Sequence, residues 1–294
     1  MDPDGLEIFS ELRPLLFSIA YRMLGVVMDA EDMVQETFLR WQRSDQKNVQ
    51  SPKTWLSTVI TRLCINHLKS ARVQREQYVG PWLPEPLVSQ AGAGPAAENP
   101  LLGESLSLAF LVLLETLSPT ERAVFLLREV FDYEFGEVAR IVQKSEANCR
   151  QLLTRARKHI AARRPRFETA PEQTQKVVEE FERTVLSGDV QSLMQILAKD
   201  AVLISDGGGK ARALLRPIVG AEAISRLIIG AAAKFGSPTQ VLRHLPVNGL
   251  PGTIAWENDR VIRVIVFGIQ EGKIQSVFII TNPDKLRHLT PAPA

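Results

Sequence analysis

The sequence predicts a multidomain protein in which two all-α blocks precede an α+β domain. Three observations carry this expectation. Apolar residues recur at three- and four-residue spacing through residues 6–77 and again through 101–164. A stretch rich in Pro, Gly, Ala and Ser, residues 80–100, lies between those blocks and reads as a linker. From Gln173 onward, short strand-like runs with turns at Asn248-Gly249 and Glu271-Gly272 replace the helical period. Such a shift marks separately folded domains, with boundaries expected at 1–79, 80–100, 101–167 and 172–294.

The first block opens with Ile8, Leu12, Leu15, Leu16, Ile19 and Leu24 on one helical stripe. In the second block, Ser118-Pro119-Thr120-Glu121 is a helix start: Ser118 caps, Pro119 suits the first turn, and Glu121 completes a capping box. A short helix follows over 133–142, then a turn at Lys144-Ser145-Glu146 with Ser145 as the next cap. The final helix of this block has two faces. Cys149, Leu152, Leu153, Ala156 and Ile160 form an inward stripe, while Asn148, Arg150, Gln151, Thr154, Arg155, Arg157 and Lys158 point the other way. Amide and hydroxyl groups can bond base edges, and the cations that follow can neutralise phosphates. A short helix, a tight turn and a polar-then-basic helix make the helix-turn-helix layout. A solvated basic face on an ordinary bundle is the plainer reading of the same residues.

In the third block, helices are expected at 173–187, 190–199 and 221–235. Strands are expected at 201–205, 211–218, 239–245, 253–257, 261–269 and 273–281.

Composition narrows the function classes. The chain has 294 residues, 45% of them hydrophobic and 23% charged, as in a soluble globular protein. Residues 1–11 carry acids and no base, unlike a secretory leader, and the apolar runs are too short to span a bilayer. Cys64 and Cys149 are far apart, which suits free thiols in a reducing compartment, and a cytoplasmic location is expected. The net charge of +2 hides a segregation. Arg150 to Arg166 contains only cations among its charged residues, and Asp29, Glu31, Asp32 and Glu36 cluster elsewhere. No phosphate loop, metal-spaced Cys/His cluster or nucleophile elbow occurs, so no cofactor, metal or catalytic residue is expected.

Two stretches of the first block carry a family resemblance. The run Asp29-Ala30-Glu31-Asp32-Met33-Val34-Gln35-Glu36-Thr37-Phe38-Leu39-Arg40-Trp41 resembles the polymerase-binding helix of sigma region 2. The run Lys53-Thr54-Trp55-Leu56-Ser57-Thr58-Val59-Ile60-Thr61-Arg62-Leu63-Cys64-Ile65-Asn66-His67-Leu68-Lys69 is similar to the helix that opens and reads the −10 element. The helix-turn-helix resembles sigma region 4, which reads the −35 element. With only those two regions, residues 5–165 resemble a minimal extracytoplasmic-function sigma factor. The resemblance implies binding to core RNA polymerase, through its β′ clamp and β flap, and to promoter DNA.

The residues suit those roles. Asp29, Asp32, Gln35 and Glu36 offer an acidic and amide face to a basic partner, with Phe38 and Trp41 as an apolar anchor beside it. Strand opening needs aromatics at a fork and cations along a backbone, and Trp55 with Lys53, Arg62, His67, Lys69, Arg72 and Arg75 offers both. A core position is the competing reading of Trp55. Relatives usually have Asn and Asp where this chain has Arg62 and Asn66, so no promoter sequence carries over.

The order of elements after Gln173 resembles the SnoaL-like cone fold of the nuclear transport factor 2 group. Three motifs resemble the sigma subgroup with such a domain fused: Trp82-Leu83-Pro84-Glu85-Pro86, Asp206-Gly207-Gly208-Gly209-Lys210 and Asn282-Pro283-Asp284-Lys285-Leu286. In that subgroup the extension is implied to act in cis, with no dedicated anti-sigma protein and no membrane partner. A linker stiffened by Pro84 and Pro86 and carrying Trp82 can dock at low entropic cost. The expectation is that the C-terminal domain grips it, although Gly207–Gly209 also reads as a plain hairpin turn. Cone folds hold an apolar pocket, so a small-molecule ligand is a further possible partner. Asp189, Asp200, His244, Glu257 and Asp259 are the candidates for catalysis there, with no pair at a spacing that demands acid/base work. The alternative to a sigma factor is a helix-turn-helix regulator with a ligand-sensing cone domain.

Overall fold

A computed structural model describes residues 3–75, 78–88, 107–161 and 171–289. They fall into two compact units. One holds residues 3–75 and 110–161, the other residues 78–88, 107–109 and 171–289.

The first unit is all-α. Helix α1 (Pro3–Leu24) buries Phe9, Leu16, Ile19, Ala20 and Met23, which fall on one stripe. It stops at Gly25, whose φ of 69° is left-handed and whose N–H closes on the Tyr21 carbonyl. Helix α2 (Val27–Arg43) buries Ala30, Val34, Thr37 and Trp41, and α3 (Pro52–Arg75) buries Leu56, Ile60, Cys64 and Leu68. After α4 (Leu108–Leu114), helix α5 (Pro119–Phe125) begins with the expected capping box between Ser118 and Glu121. A wider π-type turn, Leu126–Val130, then leads to α6 (Phe135–Val142) and α7 (Glu146–Ala161). Ser145 Oγ accepts from the Asn148 N–H, so it caps α7 as expected.

The second unit packs helices on a sheet. Helices α8 (Pro171–Ser187) and α9 (Val190–Ile196) precede β1 (Leu197–Asp206) and β2 (Ile218–Val219). Helix α10 (Ala221–Phe235) follows, then β3 (Val241–Val247), β4 (Leu250–Glu257), β5 (Arg260–Gln270) and β6 (Lys273–Ile280). The strand order is β2-β1-β6-β5-β4-β3, antiparallel except for the parallel β1–β6 pair. Its core joins Phe181, Leu193, Leu203, Ile224, Phe267 and Val277, with the Phe181 and Phe267 rings edge-to-face at 5.0 Å. This is the α+β arrangement expected of a cone domain.

Two expectations fail here. Residues 211–218 do not form a strand, since only Ile218 and Val219 pair. The Ser205 hydroxyl accepts from the Leu214 N–H, the Thr281 hydroxyl donates to the Arg212 carbonyl, and Pro217 has no N–H to give a ladder. The helix expected over 190–199 ends at Ile196, because Leu197 and Ala198 already belong to β1 and are buried by the sheet.

Candidate functional sites

On α2, Asp32 and Gln35 are exposed and Asp29 and Glu36 half-buried. Glu36 pairs with Arg40 at 2.7 Å and Asp29 with His67 at 3.1 Å. Phe38 is half-buried against Phe9, ring centroids 4.8 Å apart. Trp41 corrects the sequence reading. It is buried, its indole N–H donates to the Gly5 carbonyl at 2.8 Å, and it cannot serve a partner as an anchor. Its polar end is satisfied inside the unit, which makes it a core residue.

On α3, Lys53, Asn66 and Lys69 are exposed. Trp55 is half-buried with its ring 5.3 Å from that of Trp41, so it combines core packing with a partly open edge. Arg62 Nε donates to the Ile141 carbonyl at 2.9 Å and its Nη2 to the Arg140 carbonyl at 2.8 Å. His67 is held by Asp29. The side chains of Arg72 and Arg75 lie outside the described residues.

On α7, Cys149, Leu153, Ala156 and Ile160 are buried, and Leu152 is half-buried. Asn148, Arg150, Gln151, Thr154, Arg155, Arg157 and Lys158 are all exposed, as is Ser145 at the cap. Arg150 pairs with Glu146 at 2.9 Å and lies over the Phe135 ring at 4.6 Å. Arg157 pairs with Glu129 at 2.7 Å. Neighbouring acids thus orient two of the cations on the outward face.

The second unit holds residues 78–88 of the linker along its own surface. Asp206, at the end of β1 and fully buried, is the centre. Its carboxylate accepts from Tyr78 Oη (2.5 Å), the Leu83 N–H (2.8 Å) and Lys285 Nζ (2.6 Å). Lys285 also donates to the Leu83 carbonyl, and its ammonium lies 4.1 Å from the Trp82 ring centroid and 5.0 Å from that of Tyr78. Asn282 Nδ2 donates to Tyr78 Oη at 2.8 Å. Burial, and then the bond to Asp206, push the Tyr78 phenol pKa well up. Further along, Leu83 to Pro86 are buried, and His288 Nε2 donates to the Pro86 carbonyl at 2.8 Å. Asn248 closes the strip: its Oδ1 accepts from the Leu87 N–H at 3.0 Å and its own N–H donates to the Leu87 carbonyl at 2.8 Å. Val88 then bridges Val247 at the edge of β3.

The glycines explain how the strip comes so close. A Cβ on Gly208 (φ 58°) would stand 2.2 Å from Asn282 Nδ2 and 3.0 Å from Tyr78 Oη, and one on Gly209 (φ 71°) 3.2 Å from Val79. The run is therefore a bearing surface for the linker and not a plain hairpin turn. Lys210 does not serve Asp206 but pairs with Asp284, whose carboxyl pKa that bond lowers. Pro283 is exposed beside it, and Leu286 is buried. Tyr78, His288 and Asn248 were not singled out as linker contacts from sequence. Only the Asn-Gly turn gave a local signal, and a turn does not announce a receptor.

The catalytic candidates do not converge. Asp189 caps α9 through the Gln191 and Ser192 N–H groups, and those bonds, led by the Ser192 hydroxyl, lower its pKa. Glu257 bonds Thr239, Asp259 sits in a turn at φ 59°, and Asp200 is exposed on β1. His244 Nε2 lies 3.3 Å from Glu182, which also accepts from Thr253 at 2.7 Å. His244 borders a cavity of about 250 Å³ whose lining includes Val178, Leu245, Leu250 and Ile269 together with the polar Thr174 and Gln175. Among the described residues no cluster of His, Cys, Asp and Glu could hold a metal, and no helix is long and apolar enough to cross a membrane.

Comparison with known proteins decides the family. Sigma-70 region 2 matches residues 8–73 and sigma-70 region 4 matches residues 107–160. The ECF RNA polymerase sigma factor SigJ of Mycobacterium tuberculosis is 35% identical over 287 residues, covering 94% of this chain and 91% of SigJ. The chain belongs to the ECF sigma factors. Probable ECF RNA polymerase sigma factor SigI of the same species is 32% identical over 276 residues, covering 93% of this chain and 92% of that one. The crystal structure of SigJ superposes with a TM-score of 0.76 at 33% identity, covering 96% of this chain and 98% of that one. The match takes in the C-terminal domain as well as both sigma regions. At the coarse level the partners of this ECF sigma factor are those of sigma factors: core RNA polymerase and promoter DNA.

Proposed function

We propose that this ECF sigma factor is controlled in cis, through the grip of its C-terminal domain on the linker that joins regions 2 and 4. The linker strip of residues 78–88, centred on the buried Asp206–Lys285 pair, is the observation that carries this reading. A segment so held fixes one end of the tether between the −10 and −35 readers, and release lengthens that tether. The domain needs no reaction to do this, and the scattered catalytic candidates favour a binding module over an enzyme. In the same reading, Asp32, Gln35, Asp29, Glu36 and Phe38 face the β′ clamp. Region 4 meets the β flap, Lys53, Trp55, Arg62, Asn66, His67 and Lys69 serve the −10 strand, and the exposed face of α7 reads the −35 element. Action beside the polymerase puts the chain in the cytoplasm.

Core-dependent transcription in vitro tests this, using a promoter from upstream of the chain's own coding sequence. The full chain, residues 1–168 and the full chain with Asp206→Asn plus Lys285→Met are compared. Both altered proteins are expected to give transcript levels that differ from the full chain in the same direction. Equal output from all three would overturn cis control, and duplex binding without any core-dependent transcript would favour an ordinary helix-turn-helix regulator.

A further inference from the structure

The tip of the β3–β4 hairpin takes part in two contacts. Asn248 holds Leu87 through two bonds, at 3.0 and 2.8 Å, and Val247 bridges Val88. The residues that flank these two, Leu245 and Leu250, wall the cavity of about 250 Å³, together with Thr174, Gln175 and Val178 of α8 and Ile269 of β5. The middle of the domain is filled by Phe181, Phe267 and Leu193, so the space lies at the hairpin end, beside the first turns of α8.

The tip is loosely tied to the sheet. Strand β4 pairs with β5 from Gly252 onward, so Leu250 and Pro251 stand beyond the last rung. Pro251 has no N–H to add one, and its cross-strand partner is Pro246, which has none either. Val247 rests on Gly252, where a Cβ would stand 2.7 Å from its methyl group. Two strands without a third neighbour are held mainly by what packs on them. The linker packs on this tip, and the cavity takes packing away from it, because atoms that line a void lose their dispersion contacts.

The lining says what would fill the space. None of its residues is Lys, Arg, Asp or Glu. His244 at the rim is already engaged by Glu182 at 3.3 Å, and Glu182 also accepts from Thr253 at 2.7 Å, so no free cation awaits a carboxylate. Thr174, Gln175 and His244 give one polar end to a mainly apolar wall. The volume falls below the roughly 300–1,000 Å³ of drug-sized sites, which suits a single ring or a short chain.

We infer that this cavity is a binding site for a small neutral molecule, apolar in body with one hydroxyl or amide group, and that its occupancy tightens the hold on Leu87 and Val88. The molecule acts by holding the tip where the linker already needs it, so the two bind cooperatively. This deepens the cis-control reading and rests on it for the effect on transcription, though not for the binding itself.

Fluorine NMR of the full chain with three probes of one shape tests the site: para-fluorophenol, fluorobenzene and para-fluorobenzoate. Saturable binding is expected from the phenol, with the benzoate about tenfold weaker or worse. Gln175→Trp, at an exposed position of α8 that lines the cavity, is expected to abolish it. Absence of saturable binding by all three probes, binding that survives Gln175→Trp, or tightest binding by the benzoate would overturn the site. Saturating para-fluorophenol is expected to slow protease cleavage within the linker strip about fivefold. It is expected to protect Asn248→Gly less, since that tip no longer accepts from the Leu87 N–H. Cleavage unchanged by the probe, or equal protection of both proteins, would overturn the coupling. Core-dependent transcription reports separately on cis control. Equal output from the full chain and residues 1–168, with probe binding and linker protection intact, would remove that control and leave the site standing.

Discussion

At the scale of single residues, Asp206 and Lys285 show how a buried charge pair is tolerated. Each group has further partners, so neither is left with an uncompensated charge. Lys285→Met should therefore cost about 3–5 kcal/mol in the urea unfolding of the C-terminal unit. Asp206→Asn together with Lys285→Met should recover part of that loss. His288 gives a pH dependence. Burial depresses its pKa below the ordinary 6.5. The folded state thus prefers the neutral ring, and its contribution to stability is present above about pH 6.5 and lost as pH falls below that value. Thermal midpoints of the C-terminal transition should fall between pH 7.5 and 5.5, and His288→Gln should flatten that part of the profile. The sequence shows the types of these residues but not their partners. Asp206 and Lys210 stand four apart, which invites pairing them, yet the chain pairs Asp206 with Lys285, 79 residues away. Trp41 misleads in a similar way, because a helical wheel cannot say which of two apolar faces finds a neighbour.

At the scale of elements, the helices were the most legible part. Period and caps act within a few residues, so α2, α3, α5 and α7 emerge close to where the apolar stripes and Ser118 or Ser145 place them. Residues 211–218 were not legible, because their fate depends on Ser205 and Thr281, which lie outside the segment. The β3–β4 turn carries a prediction of its own. Asn248 and Gly249 both have positive φ, 52° and 72°, as a type I′ turn requires. Asn248→Gly keeps that geometry but removes the side-chain acceptor of the Leu87 N–H. It should leave the unfolding midpoint within about 1 kcal/mol of the parent while raising the rate of protease cleavage in the linker. An unchanged cleavage rate would argue that Asn248 serves the turn alone. Gly208→Ala should do more harm, since it meets Asn282 as well as an unfavourable φ.

At the scale of the whole molecule, each unit owns its core, one around α1–α3 and α5–α7 and one around Phe181 and Phe267. Calorimetry should resolve two transitions, and Lys285→Met should move only one of them. The linker breaks the correspondence between chain order and spatial order, since residues 78–88 precede region 4 in sequence yet fold with the last domain. That exchange also has a consequence in time. Leu83 leaves the ribosome 123 residues ahead of Asp206 and 202 ahead of Lys285. At typical synthesis rates the linker waits roughly 10–40 s for its receptor. Every newborn chain passes through a period in which both sigma regions are complete and the grip does not yet exist. Under the proposed cis control, regulation is therefore acquired last, after the parts it governs are complete.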